Sequence, residues 1–173
     1  MFEKYKNIHL NKSAYILGSG PTMESFPVND YHGIYIGIND IHLRPQIKDK
    51  LNYLITEKYF ENLDLLPDDL TIFHCDTVEL TKPNSFKYKL HLVELSDVFE
   101  GTRAKIIKRF NGCSSVVFHG LFFALYIGCK KIYLVGCDSS NNTNRVFPLP
   151  KLTETPGYPG YIVGWHFVKK YVE

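Results

Sequence analysis

Short apolar segments recur along the chain, and several of them are apolar at every position rather than at alternate ones. Six such segments predict strands: AYILG (14–18), GIYIGI (33–38), LNYLIT (51–56), LTIFHC (70–75), YKLHLVEL (88–95) and KIYLVGC (131–137). Strands of a parallel sheet lie between helices and are therefore apolar on both faces. The pattern predicts an α/β fold, a Rossmann-like single domain whose mainly parallel sheet is flanked by helices.

The clearest helix between these strands begins after NGCSS (111–115) and ends at Gly128. Ser114 or Ser115 can act as its N-cap, and glycine is the preferred residue just past a helix C-terminus. The stretch VFPLPKLTETPGYPGYIVG (146–164) is rich in proline and glycine. Long loops in compact domains usually serve binding, so we expect a loop or lid over about 139–162. A last short helix is predicted over about 163–172.

Length and composition fit one globular domain spanning residues 1–173, with 45% hydrophobic and 22% charged residues. The net charge of +2 is too small for a nucleic-acid-binding surface, so no nucleic-acid partner is expected. The N-terminal segment has no signal-peptide core, and the longest apolar run is shorter than the ~20 residues that cross a bilayer. We expect a cytoplasmic protein without a transmembrane segment. Peripheral association with the inner face of the membrane and homo-oligomer formation both stay open.

The four cysteines, Cys75, Cys113, Cys129 and Cys137, lie in or beside apolar segments. None forms a CxxC pair, and their spacing is not that of a zinc site. Free cysteine behaves as a small hydrophobic residue in reducing compartments. The pattern predicts buried, reduced thiols rather than metal ligands.

A Gly-x-Gly turn, GSGP (18–21), follows the first predicted strand. Such a turn lets a ligand approach the backbone closely, and a helix beginning there would add N–H donors and the positive end of its dipole. No GK[ST] follows, so it is not a Walker A loop, and Met23 replaces the third glycine of GxGxxG. The second strand ends at Asn39 and Asp40, about 20 residues later, a position that commonly faces the ribose of a nucleotide. Together these features predict a nucleotide site at the carboxyl ends of the first and second predicted strands, and the resemblance described next extends it to the sixth.

These segments, taken in order, resemble a known family. YILGSGP, a strand ending in GIND, NGCSS opening a helix, and ALYIGCKKIYLVGCDSS are similar to the bacterial lipooligosaccharide sialyltransferases of glycosyltransferase family 42. They are also similar to the related domain of archaeal-type 6-hydroxymethylpterin diphosphokinases. The likeness covers most of the chain, and ILGSGP and YIGCKKIYLVGCD are its most specific parts. It implies transfer of a sialic-acid-like sugar from a nucleotide-activated donor, with a CMP-sugar favoured, to a surface glycan acceptor.

The resemblance also implies roles for individual residues. Tyr158 and Tyr161 would hydrogen-bond the donor phosphate, and His166 would be the catalytic base. The donor nucleotide would be held by the Gly-x-Gly turn, the asparagine after the second strand, the polar turn before the later helix and the acidic residue after the sixth strand. These are Gly18, Ser19, Gly20, Asn39, Asn111, Gly112, Ser114, Ser115 and Asp138.

The chemistry of these residue types suits a transfer that needs no metal. Histidine, with an ordinary pKa near ~6.5, can take the proton of an acceptor hydroxyl. Tyrosine hydroxyls can stabilise a leaving phosphate by hydrogen bonding. No Asp-x-Asp pair follows a strand, so we expect no metal site and no cofactor beyond the nucleotide-sugar substrate. Two alternatives stay open: an ATP-dependent diphosphokinase-like enzyme, which would need magnesium, and a non-catalytic nucleotide-binding or scaffold protein.

Four further residues are weighed on their positions alone. Glu57 and Tyr59 follow the third predicted strand and are candidates for contact with the acceptor. Trp165, next to His166, could stack on a sugar face or anchor the last helix in the core. His119 lies on the apolar helix, where a packed or capping histidine is expected.

Overall fold

The structure, a computed structural model, describes residues 2–57, 62–75, 78–88 and 116–137. Within these residues, six strands form one parallel sheet. They are β1 (Ser13–Leu17), β2 (Ile34–Ile38), β3 (Tyr53–Thr56), β4 (Thr71–Cys75), β5 (Ser85–Tyr88) and β6 (Lys131–Val135). The described residues also contain helix α1 (Pro45–Lys48), helix α2 (Val116–Tyr126) and several 3-10 turns.

The strands lie in the order β5-β4-β3-β2-β1-β6, and every neighbouring pair is parallel. From β1 to β5, each new strand is added on the same side of the one before it. β6 is then added on the other side of β1, so the direction of growth reverses between β1 and β6. This place is the topological switch point of the sheet. The prediction of an α/β fold with a Rossmann-like parallel sheet is confirmed.

The core is built on β1 to β4, which are buried along almost their whole length, as expected for strands covered on both faces. One face packs against α2, where the Phe123 ring lies 4.7 Å from Phe73 and 4.9 Å from Tyr53 between centroids. β6 lies at the edge of the described sheet and is more exposed, with Tyr133 at 44% and Leu134 at 39%. The switch point therefore lies between a buried strand and an exposed one.

Helix α2 ends at Tyr126, and the chain leaves it through Gly128, the stop that the sequence predicts. Gly128 has a φ of +90°, and the N–H groups of Gly128 and Cys129 donate to the carbonyls of Leu125 and Ala124 at 3.1 and 3.0 Å. This pair of bonds is the Schellman motif. The chain then turns directly into β6, so α2 runs antiparallel to the strands and its first turn lies near the carboxyl edge of the sheet. The predicted caps, Ser114 and Ser115, lie outside the described residues.

The segment after β1 differs from its prediction. In place of a helix beginning at the Gly-x-Gly turn, Pro21–Met23 form one 3-10 turn and Val28–Asp30 form another. Pro27 keeps a helix from continuing past Phe26, because proline inside a helix removes a hydrogen bond and disfavours helical backbone in the residue before it. The dipole of a full helix is therefore not available behind this turn.

Aromatic side chains cover the sheet face opposite α2. Tyr15 stacks on its cross-strand neighbours Tyr35 and Tyr133, with centroids 5.3 and 4.9 Å apart. Phe26 and Tyr31, from the segment after β1, lie 5.9 and 5.7 Å from the same ring. The residues that do not form a helix thus still contribute to the packing of the sheet.

β5 begins earlier than its apolar pattern predicts. The expected strand covers 88–95, whereas the structure has Ser85–Tyr88, because Phe86 pairs in register with Phe73 and their rings lie 5.7 Å apart. Residues 89–95, the expected lid over 139–162 and the expected last helix over 163–172 lie outside the described residues.

Three of the cysteines are described, and all three are free thiols. Cys75 and Cys129 are buried and Cys137 is half-buried, which agrees with their prediction as packed thiols. Cys113 lies outside the described residues. Among the helices in the described part of the chain, none has the length and apolar character needed to span a bilayer.

Candidate functional site

The predicted nucleotide-binding residues that the structure describes all lie at the carboxyl edge of the sheet. Gly18, Ser19 and Gly20 follow β1, and Asn39 follows β2. Because β2, β1 and β6 are neighbours, the three strand ends predicted to form the site are adjacent. The other predicted site residues lie outside the described part: Asn111, Gly112, Ser114, Ser115, Asp138, Tyr158, Tyr161 and His166.

Gly18 and Gly136 mark the point where the segments after β1 and β6 come into backbone contact. A Cβ on Gly18 would lie 2.5 Å from the carbonyl oxygen of Gly136, and a Cβ on Gly136 would collide with the carbonyl oxygen of Gly18. Gly136 also has a φ of +65°, which disfavours any side chain. The first glycine of the turn is therefore required by the packing of two backbones, with or without a ligand.

Most backbone donors of this turn are engaged within the protein. The N–H of Gly18 donates to a β6 carbonyl at 2.8 Å, and the N–H of Gly20 donates to the carbonyl of Gly136 at 2.7 Å. The N–H of Gly136 in turn donates to Oγ1 of Thr22 at 3.0 Å. Among the described residues, no acceptor engages the N–H of Ser19, which is half-buried. Ser19 therefore provides the donor of this turn that a phosphate could use.

Asn39 links the ends of β2 and β3. Its backbone is left-handed, with a φ of +51°, a conformation that asparagine tolerates better than most residues. Its side-chain oxygen accepts the N–H of Glu57 at 3.1 Å and the hydroxyl of Thr56 at 3.5 Å. The amide NH₂ group of Asn39 is what remains for contact with a ligand.

A carboxylate–histidine pair, Glu57 and His119, lies beside Asn39. Nδ1 of His119 is 3.4 Å from Oε1 of Glu57. The side chain of His119 is 3% exposed and that of Glu57 is 14% exposed. Burial lowers the pKa of His119 to about 4, so its ring is neutral at pH 7. Oε1 of Glu57, the atom that faces Nδ1, is fully buried.

The main chain of Glu57 is also fixed on both sides. Its N–H is bound by Asn39 after β2, and its carbonyl accepts the thiol of Cys75, the last residue of β4, at 2.8 Å. β3 lies between β2 and β4, so these contacts join the ends of three neighbouring strands. The main chain of Glu57 is thus held by residues that follow or end both neighbouring strands.

The sequence indicates Glu57 as a candidate site residue but does not predict its contact with His119. The position after β3 marks Glu57 as a candidate for substrate contact, and the prediction of a packed His119 agrees with its burial. What the sequence leaves out is the direction of α2, which brings the first turn of the helix over the end of β3. The signal that could have predicted this contact is the order of a helix followed directly by β6, because it makes the helix run antiparallel to the strands. Tyr59 and Trp165 lie outside the described residues.

A surface cavity of about 390 Å³ lies at the opposite edge of the sheet, lined by Leu51 and Asn52 before β3 and by Asp69 and Leu70 before β4. Ligands of open parallel sheets bind outside the carboxyl ends of the strands, so the candidate site is assigned there and not to this cavity. The described residues contain no group of three or more His, Cys, Asp or Glu residues that could hold a metal ion.

The chain was compared with models of protein families, with curated proteins and with solved structures, and none of the three comparisons found a match. A function is therefore inferred from the fold, from the residues at the carboxyl edge and from the sequence motifs.

Proposed function

We propose that the chain is a glycosyltransferase of the sialyltransferase type, which transfers a sialic-acid-like sugar from a CMP-sugar to a surface glycan acceptor. The observation that carries this proposal is the position of the GSGP turn and Asn39 beside the switch point of a parallel sheet. Ligands of such sheets bind in the crevice at this point. The motifs that resemble family 42 support the choice of reaction. The reaction would take place in the cytoplasm, either free or at the inner face of the membrane.

The donor nucleotide would lie across the ends of β2, β1 and β6. Neighbouring strands are about 4.8 Å apart, so these ends span roughly 10 Å, the scale of a nucleoside monophosphate. The N–H of Ser19 and the amide group of Asn39 would provide hydrogen bonds, and Asp138 would contribute from beyond β6. The segment before α2 would add contacts through Asn111, Gly112, Ser114 and Ser115.

Transfer with inversion would follow from the predicted residues near the end of the chain. The acceptor hydroxyl oxygen attacks the anomeric carbon, the bond from that carbon to the phosphate oxygen breaks, and His166 takes the hydroxyl proton. Tyr158 and Tyr161 stabilise the negative charge that develops on the leaving phosphate. Metal ions are not needed for these steps.

A second candidate is a protein that binds a nucleotide without transferring a sugar. It is favoured by one observation: the amides of Gly18 and Gly20 are engaged by β6 and by Gly136, which reduces the donors available to a phosphate. Weak phosphate contacts suit binding better than stabilisation of a leaving group.

Thermal unfolding with CMP, UDP, GDP, ATP and NAD, each with EDTA and again with magnesium, tests the proposal. A ligand at 100 times its Kd stabilises a protein by about 2.7 kcal/mol. For a domain of this size that is a rise in Tm of roughly 5–10 °C. We expect the rise with CMP, in EDTA as well as in magnesium. A rise with ATP and magnesium alone would indicate the diphosphokinase, and no rise with any nucleotide would contradict the proposal.

A transfer assay then separates the two candidates that bind CMP. Incubation with CMP-sialic acid and a galactose-terminated acceptor, followed by mass spectrometry, should show the acceptor with one added sialic acid. His166→Ala should abolish this product while the CMP-dependent rise in Tm is kept, because the base acts only in the chemical step. Binding without any product would favour the non-catalytic protein.

A further inference from the structure

The side chain of Arg44 extends from the segment after β2 to the segment after β1. Its guanidinium group donates through Nη1 to the carbonyl of Met23 and through Nη2 to the carbonyl of Glu24, the latter at 3.3 Å. Both carbonyls lie at the end of the 3-10 turn that follows the Gly-x-Gly turn. Arg44 is therefore held at the carboxyl edge, between the two segments to which the proposed function assigns the donor.

Met23, one of the residues that Arg44 contacts, lies against the segment after β6. Its side chain is fully buried, and a Cβ on Gly136 would lie 2.8 Å from the Cβ of Met23. The neighbouring Thr22 accepts the N–H of Gly136 through its hydroxyl oxygen at 3.0 Å. The turn that Arg44 binds thus contacts the other side of the switch point, which places the guanidinium group beside that point.

The positive charge of Arg44 has no carboxylate partner among the described residues. A guanidinium group has five N–H donors, and the carbonyls of Met23 and Glu24 engage two of them without neutralising the charge. The side chain is half-buried. The described residues 18–24, 39–44 and 136–137, which follow β1, β2 and β6, contain no other lysine or arginine. An anionic ligand at the switch point would therefore find its positive charge in Arg44.

Oxyanions are the ligand chemistry that suits this group. The planar fork of a guanidinium group matches two oxygens of a phosphate or a carboxylate, and hydrogen bonds between charged groups are stronger than those between neutral ones. The donor of the proposed function carries both, a phosphate in its nucleotide and a carboxylate in its sialic-acid-like sugar. The amides of Gly18 and Gly20 are already engaged within the protein, so a charged side chain beside them would supply what they do not.

We infer that Arg44 binds an oxyanion of the donor through the N–H groups that the turn leaves unused. The inference rests on the proposed function, since that function assigns a CMP-sugar to the same edge of the sheet. The oxyanion is either the phosphate of the nucleotide or the carboxylate of the sugar. The chemistry is the same for both, and the choice of ligand separates them.

Isothermal titration of the wild-type protein and Arg44→Gln with cytidine, CMP and CMP-sialic acid tests this inference. If Arg44 binds the phosphate, Arg44→Gln should weaken CMP and CMP-sialic acid by about tenfold or more, the effect of one hydrogen bond to a charged group, and leave cytidine unchanged. If Arg44 binds the carboxylate, CMP-sialic acid alone should weaken. If Arg44 only holds the turn in place, all three ligands weaken by the same factor and the inference is wrong.

Arg44→Lys gives a second arm, which decides even where Arg44→Gln does not fold. Lysine keeps the positive charge and can still donate to the turn, but it lacks the planar fork. We expect this variant to bind cytidine as the wild type does and to bind the charged ligand more weakly. Wild-type Kd values for all three ligands would contradict recognition by the guanidinium group.

The control is Lys50→Gln, which removes the same charge from an exposed side chain just before β3, at the other edge of the sheet. It should bind all three ligands as the wild type does, and a loss equal to that of Arg44→Gln would reduce the effect to net charge and contradict the inference. If Arg44→Gln keeps the wild-type Kd values, the inference is wrong and the proposed function stands. If the wild type binds neither CMP nor CMP-sialic acid, the proposed function is wrong and the inference falls with it.

Discussion

Gly18, Gly20 and Asn39 each satisfy a contact within the protein. Gly18 lies against the backbone of Gly136, Gly20 donates to the same residue, and Asn39 holds the start of the segment after β3. Glycine at position 18 and asparagine at position 39 are therefore explained by packing or hydrogen bonding alone, whereas the bond from Gly20, whose φ is −73°, could come from any residue except proline. Ser19 differs, because among the described residues nothing engages its amide. At the scale of residues, the amide of Ser19 is therefore the part of this turn that contacts within the described residues do not explain.

The buried His119 makes stability depend on pH. In the unfolded chain its pKa is near ~6.5, whereas burial lowers it to about 4 in the folded chain. Above pH 6.5 both states are neutral and stability is at its full value. Between about pH 6.5 and 4 the unfolded chain binds a proton that the folded chain does not, so stability falls by up to about 3 kcal/mol.

Urea unfolding of the wild type and His119→Asn at a series of pH values measures this effect. Asparagine is polar but does not titrate, so the free energy of unfolding should fall more steeply in the wild type between pH 6.5 and 4. Parallel curves for the two proteins would show that His119 is not held in a neutral, buried form.

At the scale of elements, the end of α2 can be tested directly. Gly128→Ala places a Cβ at a φ of +90° and brings it to 3.1 Å from the Cα of Asn7. Loss of the favoured C′ residue should reduce the free energy of unfolding by about 1–2 kcal/mol. Thermal unfolding should show a fall in Tm of roughly 3–6 °C. Lys130→Ala, two residues later and exposed, is the matched control and should leave Tm nearly unchanged.

The sequence locates some elements well because burial leaves a strong pattern. The strands that are covered on both faces, such as β2 with IYIGI, are apolar throughout, and α2 carries its own stop at Gly128. β5 is harder, because Phe86 lies between the polar residues Ser85 and Lys87, and one aromatic residue between polar ones gives no clear periodicity. The expected helix after Gly20 is reduced to one 3-10 turn, and Pro27 prevents any helix there from continuing past Phe26.

The residues of the candidate site also fall into those with a local sequence pattern and those without one. Gly18, Ser19, Gly20 and Asn39 follow predicted strands, so a parallel sheet is enough to bring them to one edge. The contact of Glu57 with His119 depends on how α2 crosses the sheet, and no local pattern around either residue records that crossing. Packing between distant elements, rather than propensity, decides this part of the site.

At the scale of the whole molecule, hydrogen exchange measured with and without CMP tests at which edge of the sheet the nucleotide binds. Exchange should be slowest in β1 to β4, whose amides lie in the buried centre of the sheet. CMP should add protection in peptides that cover residues 18–22 and 39–42, at the carboxyl edge. Peptides around Asn52 and Asp69, which line the cavity at the other edge, should be unchanged. Protection there in place of residues 18–22 would move the nucleotide site to the amino edge.

The contact between Gly18 and Gly136 has a consequence for how this sequence can change over evolutionary time. A side chain at either position would collide with the carbonyl oxygen of the other residue. A substitution at one position therefore makes no room for a side chain at the other while the two backbones remain in contact. Loss of either glycine requires the two segments to separate, which would also break the bond from Gly20 to Gly136. Homologous chains that keep the crossing should therefore keep both glycines, and those that lose it should lose the constraint at both positions together. Positions 18 and 136, which are far apart in the chain, would then change together among homologous proteins.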